Sequence, residues 1–576
     1  DGSMKKNKYN SNVKKYQSPG GYLRQHLTLP KFALALLPLV IAANTHAMDL
    51  EFMGGSELTS TLDVTVGYAT SFRTEDSDTD SVDELTNAFP GGGLNATSEA
   101  RDPNAGDMLT NLVRMTAELG MQWRNLGLVA SANYQYDHEI MKDDAAKELF
   151  TADDIESSGD AKDNAGNVLK VLDAYVYGEF ELGENPLEIR AGKQVINWGE
   201  GLFFLNGISV QNPLDFNKAL TPGTDLKEVY IGNNALFAAM GIGEESSIEA
   251  YVQTEWNRTE LPAMDTFYGS EALSRGASRE VTVAGVPVLE ADQEARDDGQ
   301  YGLAFMSTIG DIEYGIFYSR YHETMPLLHL DAALNGTEAS VFGMGQYYAE
   351  DQDMFGLSMA TTLGDWSIAA EASFRPDQAL WGDTFNKGYG FGAFAPGFYI
   401  DPTDAKDAGT NISRHDTLQI AVNGIWLGGG VDWLGLDAQV GLVQVGVETI
   451  SGDTSQLALH NSITRGDDVV GDPFASTAVI SPLSADSEAY GIAAEWVGTW
   501  NKGSTAINLN IFAQHDIAGN SHWWGNFAEG RTQYAAGVSA TIANDLEVGI
   551  KYAGITFSDS DYEDQDTLNL TANYKF

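Results

Sequence analysis

The sequence predicts an all-β fold, a closed transmembrane antiparallel up-and-down β-barrel of about 18 strands, within a range of roughly 16 to 20. Three observations predict it. Apolar and polar residues alternate with period two in segments of about ten residues, the pattern of strands with one apolar face. Short turns and long polar segments alternate as connections. The chain stops on "LNLTANYKF" (Leu568–Phe576), an alternating segment that ends on an aromatic residue.

The first predicted hairpin shows the alternation clearly. In "VRMTAELGMQW" (Val113–Trp123) every second residue is apolar, and the residues between include Arg114 and Glu118. The turn "RNLG" follows, and "LVASANYQY" (Leu128–Tyr136) resumes the pattern. The same unit recurs to the end of the chain. The predicted strands are 58–72, 113–123, 128–136, 169–182, 187–195, 235–242, 247–256, 300–309, 312–321, 354–363, 366–375, 416–427, 435–448, 488–500, 505–515, 531–542, 546–556 and 566–576.

The connections predict which end of the barrel faces which compartment. Tight turns such as "GD" at 310–311 alternate with long polar segments. An even number of strands leaves both termini at the short-turn end, which we expect in the periplasm, with long acidic loops outside the cell. The long segments are 73–110, 139–168, 257–299, 322–353, 376–415, 449–487 and 516–530.

We expect the last strand to pair with a neighbour on each side, because a free strand edge invites pairing with other chains. A closed barrel also satisfies every backbone polar group inside lipid. Leu568, Leu570, Ala572, Tyr574 and Phe576 would then face lipid. The terminal Phe576 resembles the signal read by the outer-membrane assembly machinery. The alternative is a soluble β-sandwich or β-solenoid that ends in Phe by chance.

Composition limits the classes of function. The chain has 33 basic and 82 acidic residues, and its formal net charge of −49 argues against general binding of nucleic acid. It has no cysteine, so it can form neither disulfides nor thiolate metal sites. The 24 Tyr, 25 Phe and 11 Trp argue against a disordered acidic chain.

Acidic residues concentrate in the predicted loops, for example at 73–84, 142–160, 289–298 and 558–566. Such runs are usually solvated surface. The alternative is that Ca²⁺ or Mg²⁺ bridges these loops to one another or to lipopolysaccharide, because both cations prefer carboxylate oxygens. No run has the spacing of an EF-hand calcium loop, so we expect no cofactor and no defined metal site.

Residues 1–47 predict a secretory signal peptide preceded by a few leading residues. A basic stretch precedes the apolar run "FALALLPLVIAA" (Phe32–Ala43), and small residues follow up to Ala47. The apolar run contains Pro38 and is shorter than the roughly 20 residues that span a bilayer, so a membrane anchor is the weaker alternative. We expect cleavage after Ala47, which leaves 48–576 as the barrel.

Residues 189–231 break the alternation. They begin as a strand and then become rich in Gly, Asn and Pro around an apolar run, Leu202–Leu205. This composition is too apolar for an outside loop and too irregular for a lipid-facing strand, so we predict that 196–234 folds into the lumen. A structural loop that only braces the wall is the alternative. The candidate gating residues are Arg190, Gln194, Trp198, Glu200, Phe203, Phe204, Asn212, Asp215 and Phe216.

The same stretch resembles a Gram-negative outer-membrane family catalogued as domain of unknown function 1302. The resemblance implies an outer-membrane protein that works beside a periplasmic lipid-carrier-like protein and a resistance-nodulation-division transporter. Such company implies movement of lipids, sterols or other hydrophobic small molecules across the envelope. The matching residues are Arg190, Gly192, Gln194, Trp198, Gly199, Glu200, Gly207, Asn212, Pro213, Asp215, Pro222, Gly223, Lys227 and Glu228.

The sequence has no metalloprotease, P-loop or nucleophile-elbow motif. His lies beside Ser in 458–466 and 519–526, but we interpret both as ordinary loops and expect no enzyme activity. Aromatic residues in 390–400 and 519–526 predict hydrophobic capture sites outside the cell, with loop-on-loop packing as the alternative. The candidate capture residues are Trp523, Trp524, Phe391 and Phe394.

Three functions remain open at this point. The first is an outer-membrane channel for hydrophobic compounds or lipids, with Arg190, Gln194 and Glu200 holding the inserted segment. The second is a general diffusion porin for small polar solutes. The third is a closed structural or adhesive barrel. The residues predicted to face the interior are mixed in character, namely Arg114, Glu118, Gln135, Glu249, Gln253, Gln419, Asn423, Gln439, Asn508 and Asn510.

Overall fold

The computed structural model contains one closed barrel of 18 antiparallel strands, which confirms the predicted fold class and strand number. The structure describes residues 58–76, 104–142, 161–263, 266–268, 282–283, 286–287, 294–335, 338–381, 412–454, 457, 485–522, 526–556 and 565–576. The barrel strands are β1 (Leu58–Arg73), β2 (Met108–Trp123), β3 (Leu126–Asp137), β4 (Asn167–Leu182), β5 (Asn185–Gln194), β6 (Asn233–Ile242), β7 (Ser246–Gln253), β10 (Tyr301–Ile309), β11 (Ile312–Tyr321), β14 (Gln352–Leu363), β15 (Trp366–Trp381), β16 (Ile412–Val431), β17 (Leu436–Ile450), β18 (Glu488–Lys502), β19 (Thr505–Ala518), β20 (Thr532–Ile542), β21 (Leu546–Thr556) and β22 (Thr567–Lys575).

The remaining elements in the described part of the chain lie in the connections between the barrel strands. Two hairpins lie outside the barrel sheet, and the helices are single turns. No helix among the described residues is long and apolar enough to cross a membrane. These elements are β8 (Thr282–Val283), β9 (Val286–Pro287), β12 (Leu327–Asn335), β13 (Glu338–Tyr347), α1 (His138–Met141), α2 (Phe216–Ala219), α3 (Leu226–Val229), a π-turn (Lys162–Gly166) and a 3₁₀ turn (Asp432–Leu434).

The barrel closes between its first and last strands. On one side β1 pairs with β2, for example Leu62 with Leu119. On the other side it pairs with β22, for example Tyr68 with Ala572. The backbone N–H of Phe576 donates to Val64 O at 2.9 Å, which continues the ladder to the last residue. The terminal strand therefore has no free edge.

The two faces of each strand differ as the period-two pattern predicts. Residues such as Val113 and Met115 of β2 are exposed on the outside, whereas Arg114 and Thr116 between them are buried inside. On β22, Leu570 is exposed and Asn569 is buried. The outward apolar belt includes Leu169, Val176, Leu236, Val252, Leu303, Ile316, Leu357, Ile420, Val445 and Ile511.

Tryptophans gather on the outer face near the short turns, where aromatic rings favour the membrane interface. Trp366 and Trp426 face each other across β15 and β16 with ring centroids 6.4 Å apart. The prediction that Gln439 faces the interior is wrong. Its side chain accepts a hydrogen bond from the indole of Trp496 at 3.2 Å, and it lies on the outer face because side chains alternate from the inward Gln444.

Short turns join the strands at one end and long segments join them at the other. Gly310, in the turn between β10 and β11, has φ +67°, a conformation that a tight hairpin needs and glycine adopts without strain. The short turns are 124–125, 183–184, 243–245, 310–311, 364–365, 432–435, 503–504 and 543–545. The first residue of β1 and the last residue of β22 lie at this short-turn end, as predicted.

Candidate functional site

One long-end connection, residues 195–232, folds into the barrel, and we call it the luminal insert. It leaves the wall after Gln194 and returns at Asn233, and these two residues are direct partners in the ladder. Asn233 and Asn234 belong to β6, so the insert ends two residues before the predicted boundary. Its contacts reach inward-facing residues of β2, β3, β4, β7, β11, β15, β16, β17, β19 and β22, which places it across the lumen.

Glu371, an inward residue of β15, anchors the first part of the insert. Its Oε2 atom accepts backbone N–H groups from Glu200 at 2.6 Å and Gly201 at 3.1 Å. A Cβ at Gly207 would lie 2.1 Å from Glu371 Oε1, and one at Gly199 would lie 2.6 Å from Oε2. The glycines therefore let the backbone wrap the carboxylate, which satisfies donors that no secondary structure pairs.

Polar side chains of β16, β17 and a neighbouring loop hold the apolar run of the insert through its backbone. Gln444 Oε1 accepts from the N–H groups of Leu202–Phe204. Leu205 donates to Asn526 Oδ1 at 3.0 Å, and its carbonyl accepts from Gln419 at 2.8 Å. The side-chain amide of Asn423 donates to the carbonyl of Glu200. This stretch is therefore fixed by long-range partners rather than by a helix or strand of its own.

The guanidinium of Arg375 completes this set of anchors. It is almost fully buried and donates to the carbonyls of Asn206 and Gly207, the latter at 2.7 Å. The positive charge of Arg375 lies among the carboxylates of Glu371, Glu323 and Glu448, which offset its burial.

An apolar sector of the inner wall packs against the insert. The indole of Trp198 contacts Tyr251 with ring centroids 5.1 Å apart and Phe317 at 5.7 Å, while its N–H donates to Glu249 at 2.8 Å. Phe203 packs on Phe512 at 5.6 Å. The main cluster consists of Ile196, Trp198, Ile208, Ala235, Phe237, Tyr251, Ala304, Phe317, Tyr321 and Met354. Burial of this area stabilises the docked insert by the hydrophobic effect.

The second half of the insert is held by polar and charged side chains of β2–β4. Buried Asp215 caps α2 and pairs with Lys170 of β4. Glu228 accepts from Thr116 Oγ1 at 3.0 Å and from Asn133 Nδ2 at 2.9 Å. Asp215 caps α2 and Glu228 lies on α3, and both helices are single turns. These side chains rather than helix propensity therefore decide where this half of the insert lies.

Lys218, on α2, is the most buried cation of this half. Its ammonium donates to Asn133 and Gln135 on β3. Burial lowers the pKa of Lys218 to about 8, against the opposing attraction of Asp215. The ordinary pKa of a lysine is about 10.4, so docking of the insert depends on the protonation state of this group.

The predicted gating residues divide into insert residues and wall residues. Arg190 faces the lumen from β5, but it pairs with Glu188 on the same strand and stacks on Phe237 at 5.0 Å. Gln194 donates to wall carbonyls, including that of Ala235 at 3.1 Å. These contacts place both residues in the wall, where the insert begins.

Other predicted residues lie inside the insert. Asn212 closes its loop by bonding both the N–H and the carbonyl of Ile196. Phe204 packs on Phe527 with ring centroids 4.8 Å apart. Phe216 begins α2 and is half-buried. Glu200 contributes its backbone to the wall contacts, and its side chain is half-buried.

A cavity of about 240 Å³ lies between the insert and the wall. Its lining includes Trp198, Glu200, Asn206, Glu323 and Glu371. Burial and then the charges of Glu371 and Glu313 raise the pKa of Glu200. Burial also raises the pKa of Glu323. These carboxylates disfavour an anionic guest in the cavity.

The predicted capture residues Trp523, Trp524, Phe391 and Phe394 lie outside the described residues, as does the predicted signal peptide. The Ser-His pair beside them has a structural arrangement. Ser521 donates to Glu448 at 2.9 Å, and His522 lies against the same carboxylate. A nucleophile and its base would instead bond each other.

Within the described ranges no group of three or more His, Asp or Glu is arranged to hold a metal ion. Most of the acidic loop runs fall outside those ranges, so the Ca²⁺ or Mg²⁺ alternative stays a prediction.

Sequence reasoning missed the wall anchors Glu371, Gln444, Arg375 and Asn526. A signal exists for Glu371, because it is a carboxylate on a strand whose preceding inward positions, Ser367 and Ala369, are small. The alternation alone cannot tell whether such a residue meets water or a docked backbone.

A closed barrel with an outward apolar belt and one segment folded across its lumen defines a transmembrane β-barrel of the outer-membrane type. The chain belongs to the family DUF1302, described as a protein of unknown function, whose sequence profile matches residues 28–576. The resemblance noted from the insert motif is thereby confirmed.

Solved porin structures resemble the chain in architecture. Acinetobacter baumannii OccAB3 is 8% identical, with 90% of this chain and 99% of that chain covered at a TM-score of 0.42. A BenF-like porin from Pseudomonas fluorescens Pf-5 is also 8% identical, with 90% and 98% covered at 0.42. Pseudomonas aeruginosa OccK11 (OpdR) is 10% identical, with 90% and 96% covered at 0.40. No curated protein matches the sequence significantly. Likeness at this level extends no further than the barrel.

Proposed function

We propose that the protein is a channel in the outer membrane of a Gram-negative bacterium that moves hydrophobic compounds or lipids. The observation that carries the proposal is the luminal insert. It crosses the lumen on wall anchors from many strands, so any solute must pass beside it or displace it. We therefore assign selectivity to the insert rather than to the barrel diameter.

The apolar sector of the inner wall supports a hydrophobic cargo. Phe237, Tyr251, Phe317 and Met354 face inward from neighbouring strands, where a pore for polar solutes would gain nothing from them. Partly buried Met306 extends the sector beside the insert. The docked insert covers these side chains, so they would become a surface for an apolar molecule when the insert is displaced.

The orientation in the membrane is part of the proposal. We place the short-turn end in the periplasm and the long loops outside the cell, as in outer-membrane barrels generally. The predicted signal peptide supports export to this location.

We also propose a periplasmic carrier protein as partner, itself served by a resistance-nodulation-division transporter. The turn between β16 and β17 supports this, because Trp433 is 83% exposed and Leu434 lies beside it. A photoreactive amino acid in place of Trp433 tests the contact. A crosslink to a periplasmic protein is expected, and crosslinks to lipid alone would count against it.

The cargo is tested with two solutes of opposite character. Gram-negative cells that express the protein should take up the apolar dye N-phenyl-1-naphthylamine faster than cells without it. Proteoliposomes carrying the purified protein should swell slowly in arabinose, because the insert obstructs a polar path. Both measurements use the intact chain.

The two alternatives give different results in the same experiment. Fast swelling in arabinose with no gain in dye uptake would establish a general diffusion porin. No effect on either solute, together with no ion conductance in planar bilayers, would establish a closed structural or adhesive barrel.

A further inference from the structure

The insert covers the inner wall unevenly. A Cβ added at inward Gly302 of β10 would lie 2.8 Å from Trp198, and one at Gly446 of β17 would lie 2.5 Å from Phe204. At Gly537 of β20 and Gly549 of β21, the three heavy atoms nearest to an added Cβ, 2.9 to 3.7 Å away, all belong to the wall. The insert therefore lies against β10 and β17 but leaves β20 and β21 uncovered at these positions.

The edges of the insert bracket this uncovered sector. On one side Phe203 packs on Phe512 of β19. On the other side a Cβ at Gly223 would lie 2.9 Å from Thr571 of β22. The insert, β20 and β21 all lie within the described residues, and no hydrogen bond or ion pair joins the insert to either strand. Strands are about 4.8 Å apart, so the gap from β19 to β22 spans about 14 Å of wall.

The gap has a distinct chemistry. Lys551 faces it from the middle of β21, is exposed, and has no ion pair within the described chain. Inward acids on the flanking wall include Glu547, four residues towards the short-turn end, and Glu495 of β18, which accepts a hydrogen bond from Asn510. The net charge of the chain is −49, so a cation without an acidic partner among the described residues sets this part of the wall apart.

Two exposed leucines of the insert lie close in the chain to the residues that contact the borders of the gap. Leu202 is 37% exposed beside Phe203, and Leu220 is 41% exposed three residues before Gly223. The insert therefore carries an exposed apolar side chain near each of its two contacts with the strands that border the gap.

We propose that the conduction path is an eccentric passage between the insert and β20–β21, and that it selects elongated amphipathic anions. The anionic group meets Lys551, and the apolar chain runs along Leu202 and Leu220. This inference rests on the proposed channel function and specifies its substrate class.

The position of the passage is tested with single cysteines, which the chain otherwise lacks. Ser539→Cys places a thiol on β20 opposite Gly549, inside the gap. The matched control is Ser319→Cys, an inward serine of β11 that is fully buried and bonded to Tyr251. In detergent, the anionic thiol reagent sulfonatoethyl methanethiosulfonate should label Ser539→Cys at least about tenfold faster, because a buried thiol reacts only through local opening.

Labelling also separates this inference from the proposed function. Equal labelling rates at the two positions would overturn the passage, whatever the conductance. Faster labelling of Ser539→Cys together with a block of current supports both. Faster labelling in a protein that conducts nothing supports the opening and removes the channel.

The substrate class is tested by block of current with octanoate and octyltrimethylammonium, which share a chain and differ in charge. Octanoate should block at the lower concentration. Lys551→Gln should raise its blocking concentration about fivefold, the effect of one exposed ion pair, and leave octyltrimethylammonium unchanged or stronger. Lys502→Gln, at the last residue of β18 beside the short turn, is the control. Equal block by both ions, or no effect of Lys551→Gln, would overturn the anion preference.

Discussion

At the scale of single residues, Glu371 shows how a wall side chain holds a chain segment with no regular structure. It accepts two backbone N–H groups of the insert within a ring of glycines. Hydrogen bonds to a charged acceptor contribute about 1.5–3 kcal/mol each, more than neutral ones. The single carboxylate of Glu371 therefore makes a large contribution to the stability of the docked insert.

Replacing this carboxylate should loosen the insert. Glu371→Gln keeps one acceptor oxygen but loses the charge, so docking should weaken by about 1–2 kcal/mol. Single-channel recordings should show openings about tenfold more frequent than in the wild type. Glu495→Gln is the matched control, since Glu495 also faces the lumen but accepts its hydrogen bond from Asn510 of the wall. Identical gating in both variants would contradict the assigned anchor.

Lys218 should make docking depend on pH. Its pKa is about 8 when docked and returns towards about 10.4 when the insert is released into water. Between these values the released form binds more protons, so docking becomes more favourable as pH rises through this window. A neutral amine still donates to Asn133 and Gln135, so the contact survives deprotonation.

The expected result is fewer openings at pH 9.5 than at pH 7.5, by about tenfold. Lys218→Met removes the titrating group and should give a flat profile over the same range. A wild-type opening frequency that rises with pH would show that another group governs docking.

At the scale of elements, the insert is an addition to a complete wall. Gln194 and Asn233 are ladder partners, so β5 and β6 would form an ordinary hairpin without residues 195–232. The wall keeps all its strand pairs in that case, because no barrel strand pairs with the insert through its own ladder.

Excision of the insert tests this separation. Replacing 195–232 by Asn-Gly, a type I′ turn, should leave a folded, heat-modifiable barrel. Its conductance should rise several-fold, because the lumen loses its obstruction. The control replaces 330–344, the outer part of the β12–β13 hairpin, by the same turn between the partners His329 and Gly345. A variant without the insert that fails to fold would show that the insert is part of the core.

At the scale of the whole molecule, closure decides stability in the membrane. Each backbone group inside lipid needs a partner, and the seam between β1 and β22 supplies the last set. The seam can be tested because the chain has no cysteine. Tyr68→Cys with Ala572→Cys places two thiols on paired residues, within the Cα separation that a disulfide needs.

Mild oxidation should crosslink this pair nearly completely and keep the barrel compact on a denaturing gel. Tyr68→Cys with Tyr574→Cys, shifted two residues along β22, should crosslink poorly. Equal crosslinking would mean that the register of the seam is wrong. The role of Phe576 as an assembly signal stays a prediction.

The sequence by itself determined the wall. Alternation with period two, turn residues and connection lengths are local, and a barrel strand uses only local information to decide which face meets lipid. All 18 strands were predicted from these patterns, with boundaries shifted by a few residues where extra ladder pairs lengthen a strand, as in β16. The one wrong inward assignment, Gln439, follows an error in phase near a turn.

Only the tertiary structure decided the site. The sequence predicted that the insert enters the lumen, but not that Glu371, Gln444 and Asn526 would hold it, because these partners lie about 170 to 320 residues away along the chain. The sequence pattern around an inward polar residue is the same whether that residue faces water or a docked backbone. Closure of the barrel brings those residues together around the lumen, and the uneven cover that leaves Lys551 open is a property of that assembly alone.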